Sequence, residues 1–130
     1  MKKLILFVLM MVLSTSTIQA LPKHDMHDKA FADMEQKYGV SATFAKAVAI
    51  QESGWFTSNA YKNKNNPFGI MSKGKLQRFD SADESIDYFG NLLSSEKYKG
   101  MSIEEIGKEY CPTDRNWARD VRWIMRRVKK

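Results

Sequence analysis

The sequence has little of what holds many small domains together by covalent bonds. Cys111 is the only cysteine among 130 residues, so no disulfide can form within the chain, and folding must depend on packing. A reactive thiol is one reading of Cys111, and a buried inert side chain is the other. The chain also lacks internal repeats and low-complexity stretches. Its length is therefore expected to form one domain around a single core.

The first twenty residues have the three-part pattern of a secretory signal peptide. Two lysines follow Met1, residues 4–13 form an unbroken apolar run, and a short polar segment ends at Ala20. The apolar run is too short for a membrane-spanning helix, which needs about 20 residues. We place the cleavage after Ala20 and take residues 21–130 as the folded domain. The expected location is periplasmic or secreted, without stable membrane insertion after cleavage.

The charge is unbalanced toward the C-terminal end. The whole chain carries a net charge of +6, and removal of the signal segment with its two lysines leaves +4. A basic surface favours polyanions, and export argues against nucleic acid, which leaves cell-wall polymers and lipid headgroups. A solvated helix face that only maintains solubility is the alternative, and we expect a monomer. The terminal basic residues are Arg119, Arg122, Arg126, Arg127, Lys129 and Lys130.

All strong periodic signals are helical and predict about five helices. Gly39 ends the first helix, and Ser41 is a natural N-cap for the second, which is apolar enough to be the central buried helix. Ser81 with Glu84, and Ser102 with Glu105, have the spacing of capping boxes. The predicted helices cover residues 28–38 and 42–53, begin at Ser81 and Ser102, and end with residues 114–128.

The segment between the second and third predicted helices does not follow a helical pattern. Residues 59–78 are rich in Asn, Lys and Gly, and they contain the string NNPFGI at 65–70. This composition predicts a loop, with one short hairpin that turns at residues 72–74. The expected fold is therefore mainly α, with a shortened loop or β-hairpin lobe. Functional residues often lie in such connections.

Glu52 is the carboxylate whose position suggests chemistry. It follows Val48 by four residues and Phe44 by eight, which places it at the C-terminal end of an apolar helix stripe. Desolvation and the negative end of the helix dipole both raise the pKa of a carboxyl there, as a general acid requires near neutral pH. The position also fits a helix-end glutamate that reaches solvent or pairs with Lys62 or Lys64.

Four segments, taken in order, resemble the motifs of one enzyme family. They read AIQESGW at 49–55, NNPFGI at 65–70, FDSADESIDY at 79–88 and YCPTDRNWA at 110–118. The first two resemble a helix end of Glu, small residue, Gly and Trp, followed by an Asn-x-Phe-Gly-Ile/Val turn. The third resembles an aromatic-x-Ser helix opening, and the fourth a Tyr-Ala-Thr-Asp-x-x-Tyr-Ala segment with one residue inserted. Together they resemble the bacterial endo-β-N-acetylglucosaminidases of the lysozyme-like superfamily.

The resemblance implies a lysozyme-like fold and a peptidoglycan hydrolase that cleaves the β-1,4 bond after N-acetylglucosamine. It implies glycan strands as the partner and neither a cofactor nor a metal. Glu52 takes the position of the catalytic acid, and Tyr110 that of an active-site tyrosine. There are also plain structural alternatives. Trp55 and Phe68 could belong to the core, and the hydroxyl of Tyr110 could cap a buried carbonyl. The implied substrate-binding residues are Trp55, Asn66, Phe68 and Gly69.

The chain departs from the family in the segment that supplies a second acid across the cleft. Residues 70–79 fill this place and contain no Asp or Glu. A two-carboxylate mechanism needs a base or nucleophile at a defined distance from the acid. Asp80, Asp83 and Glu84 are the nearest candidates in sequence, and Glu84 already belongs to a capping box. The second group is therefore unassigned.

Two other functions fit the same residues. Lytic transglycosylases also have a catalytic Glu followed by Ser and use the 6-hydroxyl of the substrate as the nucleophile. The string FGIM at 68–71 differs from their usual Gly-Leu-Met-Gln. A wall-binding module that kept the fold without catalysis is the third possibility, and a turnover assay separates it from both enzymes.

Overall fold

Six helices and one short hairpin succeed each other along residues 25–129, the part of the chain that this computed structural model describes. The predicted signal peptide lies outside the described residues. None of the described helices has both the length and the apolar character needed to cross a membrane. The elements are α1 (Asp28–Tyr38), α2 (Ala42–Ser53), α3 (Asn59–Lys64), β1 (Met71–Ser72), β2 (Lys75–Leu76), α4 (Ala82–Leu93), α5 (Ile103–Tyr110) and α6 (Trp117–Val128).

Serine side chains set the first turn of most of these helices. Ser41 accepts a hydrogen bond from the backbone N–H of Phe44, and Ser102 and Glu105 form the predicted capping box in both directions. Ser81 caps α4 as predicted, whereas the Glu84 carboxylate accepts from the N–H of Asp80. The sequence therefore locates these three helix starts correctly.

The central position of α2 follows from its small and apolar side chains. Its residues from Phe44 to Ile50 are buried on every side of the helix, so α2 has no solvent face along this stretch. It packs along α6 and also contacts α1 and α4. Gly54 adopts a left-handed conformation with φ of 57° and ends the helix immediately after Ser53.

Two element boundaries differ from the sequence prediction. The predicted loop contains α3, which Ser58 caps through the N–H of Tyr61 and which the left-handed Asn65 ends. The last helix begins at Trp117, three residues later than predicted, because the Asp114 carboxylate accepts from the N–H of Asn116 and holds a turn before the helix. Local side-chain hydrogen bonds decide both boundaries.

The hairpin has the predicted turn. Met71 pairs with Leu76 and Ser72 with Lys75, and the two residues between the strands have positive φ values of 53° and 76°. Positive φ at both central residues of a two-residue turn matches the right-handed twist of the strands that it joins.

The buried amide of Asn66 connects the turn before the hairpin to the hairpin itself. Its Nδ2 donates to the carbonyls of Ile70 and Gln77, each at 2.9 Å, and its Oδ1 accepts from the N–H of Ile70 at 3.0 Å. The side chain is fully buried, so water cannot replace these bonds. Asn66 therefore fixes the shape of the segment that follows α3.

We expect Asn66→Ala to lower the free energy of unfolding by about 2–4 kcal/mol, because the buried N–H of Ile70 loses its acceptor and the carbonyls of Ile70 and Gln77 each lose a donor. Urea unfolding of wild type and variant measures the difference. The matched control is Asn63→Ala, which removes an exposed amide from α3 and should change stability by less than about 0.5 kcal/mol. Equal stability of the two variants would contradict the structural role of Asn66.

Candidate active site

The carboxyl of Glu52 lies at the end of α2, where the chain leaves the buried core. Glu52 is half-buried, and the indole Nε1–H of Trp117 donates a hydrogen bond to its Oε2 at 2.8 Å. None of the ion pairs among residues 25–129 joins Glu52 to Lys62 or Lys64. The structure therefore gives Glu52 an aromatic partner from α6 instead of a lysine from α3.

Burial dominates the ionisation of this carboxyl. The pKa of Glu52 is raised from 4.5 to about 8, and desolvation by burial is the largest cause. The hydrogen bond from Trp117 opposes this shift, and the negative charge of Asp114 adds to it. At neutral pH the carboxyl therefore holds its proton. A protonated acid at the edge of the core can donate to a substrate oxygen, which is the chemistry that the sequence position suggested.

The turn directly after α2 is conformationally strained. Gly54, Trp55 and Phe56 are consecutive and have φ values of 57°, 59° and 63°. Bulky L-residues rarely adopt this left-handed region, so the surrounding structure must hold them there. Ser53 contributes by accepting from the N–H of Phe56 at 2.8 Å. Trp55 is half-buried and follows Glu52 by three residues.

Three of the other sequence-predicted site residues lie behind the surface. Tyr110 is fully buried, and its hydroxyl donates to the backbone carbonyl of Phe68 at 2.8 Å. The ring of Phe68 is also fully buried and stacks on Phe89 with 4.2 Å between centroids. Asn66 uses its amide for the backbone bonds described above. Sugar contact by any of these side chains would require its displacement from the core.

Gly69 has the backbone conformation that its place in the turn demands. Its φ is 67°, in the left-handed region that favours glycine, and the residue is half-buried. The predicted site residues thus separate into two groups. The first group is partly exposed at the molecular surface and consists of Glu52, Trp55 and Gly69. The second group is buried beneath that surface and consists of Tyr110, Phe68 and Asn66.

Sequence reasoning missed two neighbours of Glu52. Trp117 donates to its carboxyl, and Asp114 is the carboxylate whose charge raises its pKa. Both belong to the segment 110–118, where Trp117 occupies the position of the second tyrosine of the family motif. The tryptophan in place of that tyrosine is the sequence feature that could have indicated a contact with Glu52. Asp83 instead lies 3.9 Å from the imidazole of His27.

Aromatic rings surround the inner side of the Glu52 carboxyl. The Tyr110 and Trp117 rings are 5.5 Å apart, and burial together with the charge of Glu52 raises the pKa of the Tyr110 hydroxyl well above its usual value. Residues 25–129 bring no three His, Cys, Asp or Glu side chains close enough to hold a metal ion. Within residues 25–129, the candidate site is therefore the desolvated carboxyl of Glu52 next to buried aromatic rings.

Comparison with known proteins identifies the family. Residues 28–130 match the model of the glucosaminidase family, described as mannosyl-glycoprotein endo-β-N-acetylglucosaminidase. The chain belongs to this family. It is therefore a glycoside hydrolase by family, as the sequence motifs implied. No curated protein matched the chain.

Two solved structures are similar to the chain in fold. The C-terminally truncated glycoside hydrolase domain of FlgJ from Salmonella typhimurium aligns with a TM-score of 0.60 and 17% identity over 78% of this chain and 91% of that one. The catalytic domain of the autolysin Auto from Listeria monocytogenes aligns with a TM-score of 0.62 and 16% identity over 87% and 89%. These matches confirm the predicted lysozyme-like, mainly helical fold.

The raised pKa of Glu52 makes stability depend on pH in a defined direction. The folded chain holds a proton that the unfolded chain releases above pH 4.5, so this contribution is complete below pH 4.5 and is lost as the pH rises through about 8. We expect it to amount to a few kcal/mol across that window. Glu52→Gln lacks it, so urea unfolding at several pH values should show the wild type losing stability relative to the variant between pH 4.5 and 8. Parallel curves would show that Glu52 ionises normally.

Proposed function

We propose that this chain is an exported peptidoglycan hydrolase that cleaves the β-1,4 bond after N-acetylglucosamine, with Glu52 as the general acid. The observation that carries the proposal is the half-buried Glu52 at the end of α2, whose carboxyl accepts from Trp117 and whose desolvation raises its pKa to about 8, so that it is protonated at neutral pH. Family membership supplies the reaction class. The similar structures are described as a glycoside hydrolase domain and as the catalytic domain of an autolysin, which supports the cell wall as the substrate.

In the proposed reaction, Glu52 gives its proton to the glycosidic oxygen while the bond from that oxygen to the anomeric carbon breaks. Positive charge develops on the sugar ring and is relieved by attack at the anomeric carbon. In a hydrolase the final acceptor is water, which supplies the hydroxyl of the new reducing end and returns a proton to the enzyme. Trp55 follows Glu52 by three residues and is half-buried, so its ring is the candidate aromatic surface for the CH face of a sugar. The buried Tyr110, Phe68 and Asn66 act by holding the turn at Gly69 in place.

The second group of the reaction does not come from the hairpin. Residues 71–76 contain two lysines and no acid. Asp114 is the carboxylate whose charge acts on Glu52. It is therefore a further candidate for the second group, beside Asp80, Asp83 and Glu84. Two routes to a hydrolysed product need no second carboxylate: a water held without a carboxylate partner, and attack by the substrate's own N-acetyl oxygen. Attack by the 6-hydroxyl oxygen is the transglycosylase route.

Digestion of purified peptidoglycan tests the function and the acid together. We expect the wild type to release fragments with free reducing N-acetylglucosamine ends, which borohydride converts to the alditol before mass spectrometry. Glu52→Gln should fold and lose about 10²–10⁴ in rate, because the amide cannot donate the proton. The matched control Glu96→Gln changes an exposed glutamate and should keep the wild-type rate.

Each contrary outcome identifies a different alternative. Anhydro-muramic ends that resist borohydride would show a lytic transglycosylase. An inactive wild type that still binds wall would support the non-catalytic module. If Glu52→Gln cleaved wall at the wild-type rate, the acid would be another residue.

The C-terminal helix presents the basic surface that the sequence predicted. Arg119 pairs with Asp120 and Arg122 with Glu104, whereas no acidic partner of Arg126, Arg127 or Lys129 occurs among residues 25–129. Trp123 is 43% exposed, and the guanidinium of Arg127 lies 3.5 Å from its ring centre. We include in the proposal that this surface attracts the anionic wall; it is formed by Trp123, Arg126 and Arg127 of α6 and by Lys129 directly after the helix.

We expect Arg126→Gln combined with Arg127→Gln to weaken sedimentation with wall sacculi at low salt and to have little effect at high salt, where screening is already strong. The matched control removes two exposed charges elsewhere, with Lys97→Gln and Lys99→Gln. Sacculus binding by the wild type that does not change with salt would contradict an electrostatic role for this surface.

A further inference from the structure

We propose that Trp117 is a positioning residue, whose indole N–H holds Oε2 of Glu52 as an acceptor and so leaves Oε1 as the oxygen that carries and delivers the acid proton. The inference rests on the proposed role of Glu52. It adds the assignment of the proton to one of the two carboxyl oxygens, which decides the direction in which the acid can donate.

The assignment follows from the donor chemistry of the two groups. The indole Nε1–H lies 2.8 Å from Oε2 and has no lone pair to accept a proton. In the neutral acid, one oxygen is the carbonyl and the other carries the hydrogen, and the carbonyl oxygen is the better acceptor. The arrangement that keeps the indole bond therefore places the hydrogen on Oε1. Without this bond the two arrangements would be much closer in energy.

The indole is held firmly enough to impose this choice. Trp117 is 1% exposed, and its ring contacts Tyr110 at 5.5 Å and meets Phe44 edge-on at 6.5 Å between centroids. A methyl group added at Gly107 would lie 2.8 Å from Cε3 of the indole, so α5 leaves space for the ring only because residue 107 is glycine. The donor thus approaches Glu52 from one fixed side.

The same bond changes in strength during the reaction. A hydrogen bond to a carboxylate is stronger than one to a neutral acid, so the indole stabilises the state that follows proton delivery. It thereby opposes the desolvation that raises the pKa of Glu52. Burial alone would keep the proton too tightly, and the Trp117 bond makes its release easier. A purely structural tryptophan would have no effect on this balance.

Nuclear magnetic resonance on the wild type tests the coupling without any activity assay. The indole N–H resonance of Trp117 should shift with the same midpoint as the carboxyl carbon of Glu52, and this step should vanish in Glu52→Gln. The resonance should also stay downfield of that of the exposed Trp123 at low pH, because the neutral acid keeps the bond. An indole that does not titrate, or that reaches the Trp123 position at low pH, would overturn the assignment.

A substitution then measures the effect of the bond on the acid. Trp117→Phe should raise the pKa of Glu52 by about one unit, since a bond that favours the anion is lost. The alkaline limb of the pH profile for wall cleavage should move to higher pH by the same amount, and kcat should fall more than KM rises. Trp123→Phe removes the exposed tryptophan of α6, which is not the residue that donates to Glu52, and should leave the pKa of Glu52 unchanged. A folded Trp117→Phe variant with an unchanged or lowered pKa would refute the proposal.

The two measurements separate this inference from the proposed function. If the wild type does not cleave wall, the proposed function fails, and the carboxyl titration still shows whether Trp117 holds Glu52. If the wild type cleaves wall and the indole resonance of Trp117 does not change as Glu52 titrates, only the inference fails. Should Trp117→Phe not fold, the comparison of wild type with Glu52→Gln still decides the question.

Discussion

The packing of α2 against α6 is the constraint on which the site depends. Small side chains at Ala45, Ala47 and Ala49 are fully buried, and α2 makes its most extensive helix contact with α6. That contact brings the first residue of α6, Trp117, to the penultimate residue of α2, Glu52. Both the desolvation of the carboxyl and its one aromatic donor result from the same helix pair. The ionisation of Glu52 therefore depends first on the packing of these two helices.

The residues behind the surface explain how a short chain without a disulfide can hold its turns in place. The Tyr110 hydroxyl connects α5 to the carbonyl of Phe68, and Asn66 connects that same turn to the hairpin. Phe68 in turn stacks on Phe89 of α4. The turn at residues 66–70 is therefore attached to α4, α5 and the hairpin at once. Motif residues can be important for a site in this way without touching a substrate.

Local patterns in the sequence were enough to predict five of the helices and the unusual ionisation of Glu52. Apolar periodicity and serine caps identified five helices, and the position of Glu52 at the end of an apolar stripe predicted the direction of its pKa. The helix α3 was missed because its six residues bury no side chain, so it leaves no periodic pattern, and Ser58 and Asn65 alone define it. The bond between Trp117 and Glu52 joins residues 65 positions apart. No local pattern contains such a contact, and only the tertiary packing of α2 and α6 creates it.

The side chains that act on Glu52 come from one stretch of the chain, and the hairpin contributes none. Two groups act on its pKa together with burial: Asp114 lies in the α5–α6 connection, and Trp117 is the first residue of α6. The hairpin of residues 71–76 has only two residue pairs and carries no acid. A carboxylate opposite the acid would need a longer lobe, and this chain does not have one in that segment. If Glu52 is the acid, as proposed, the group that completes the reaction must come from the α5–α6 side or from the substrate, because the hairpin offers no carboxylate.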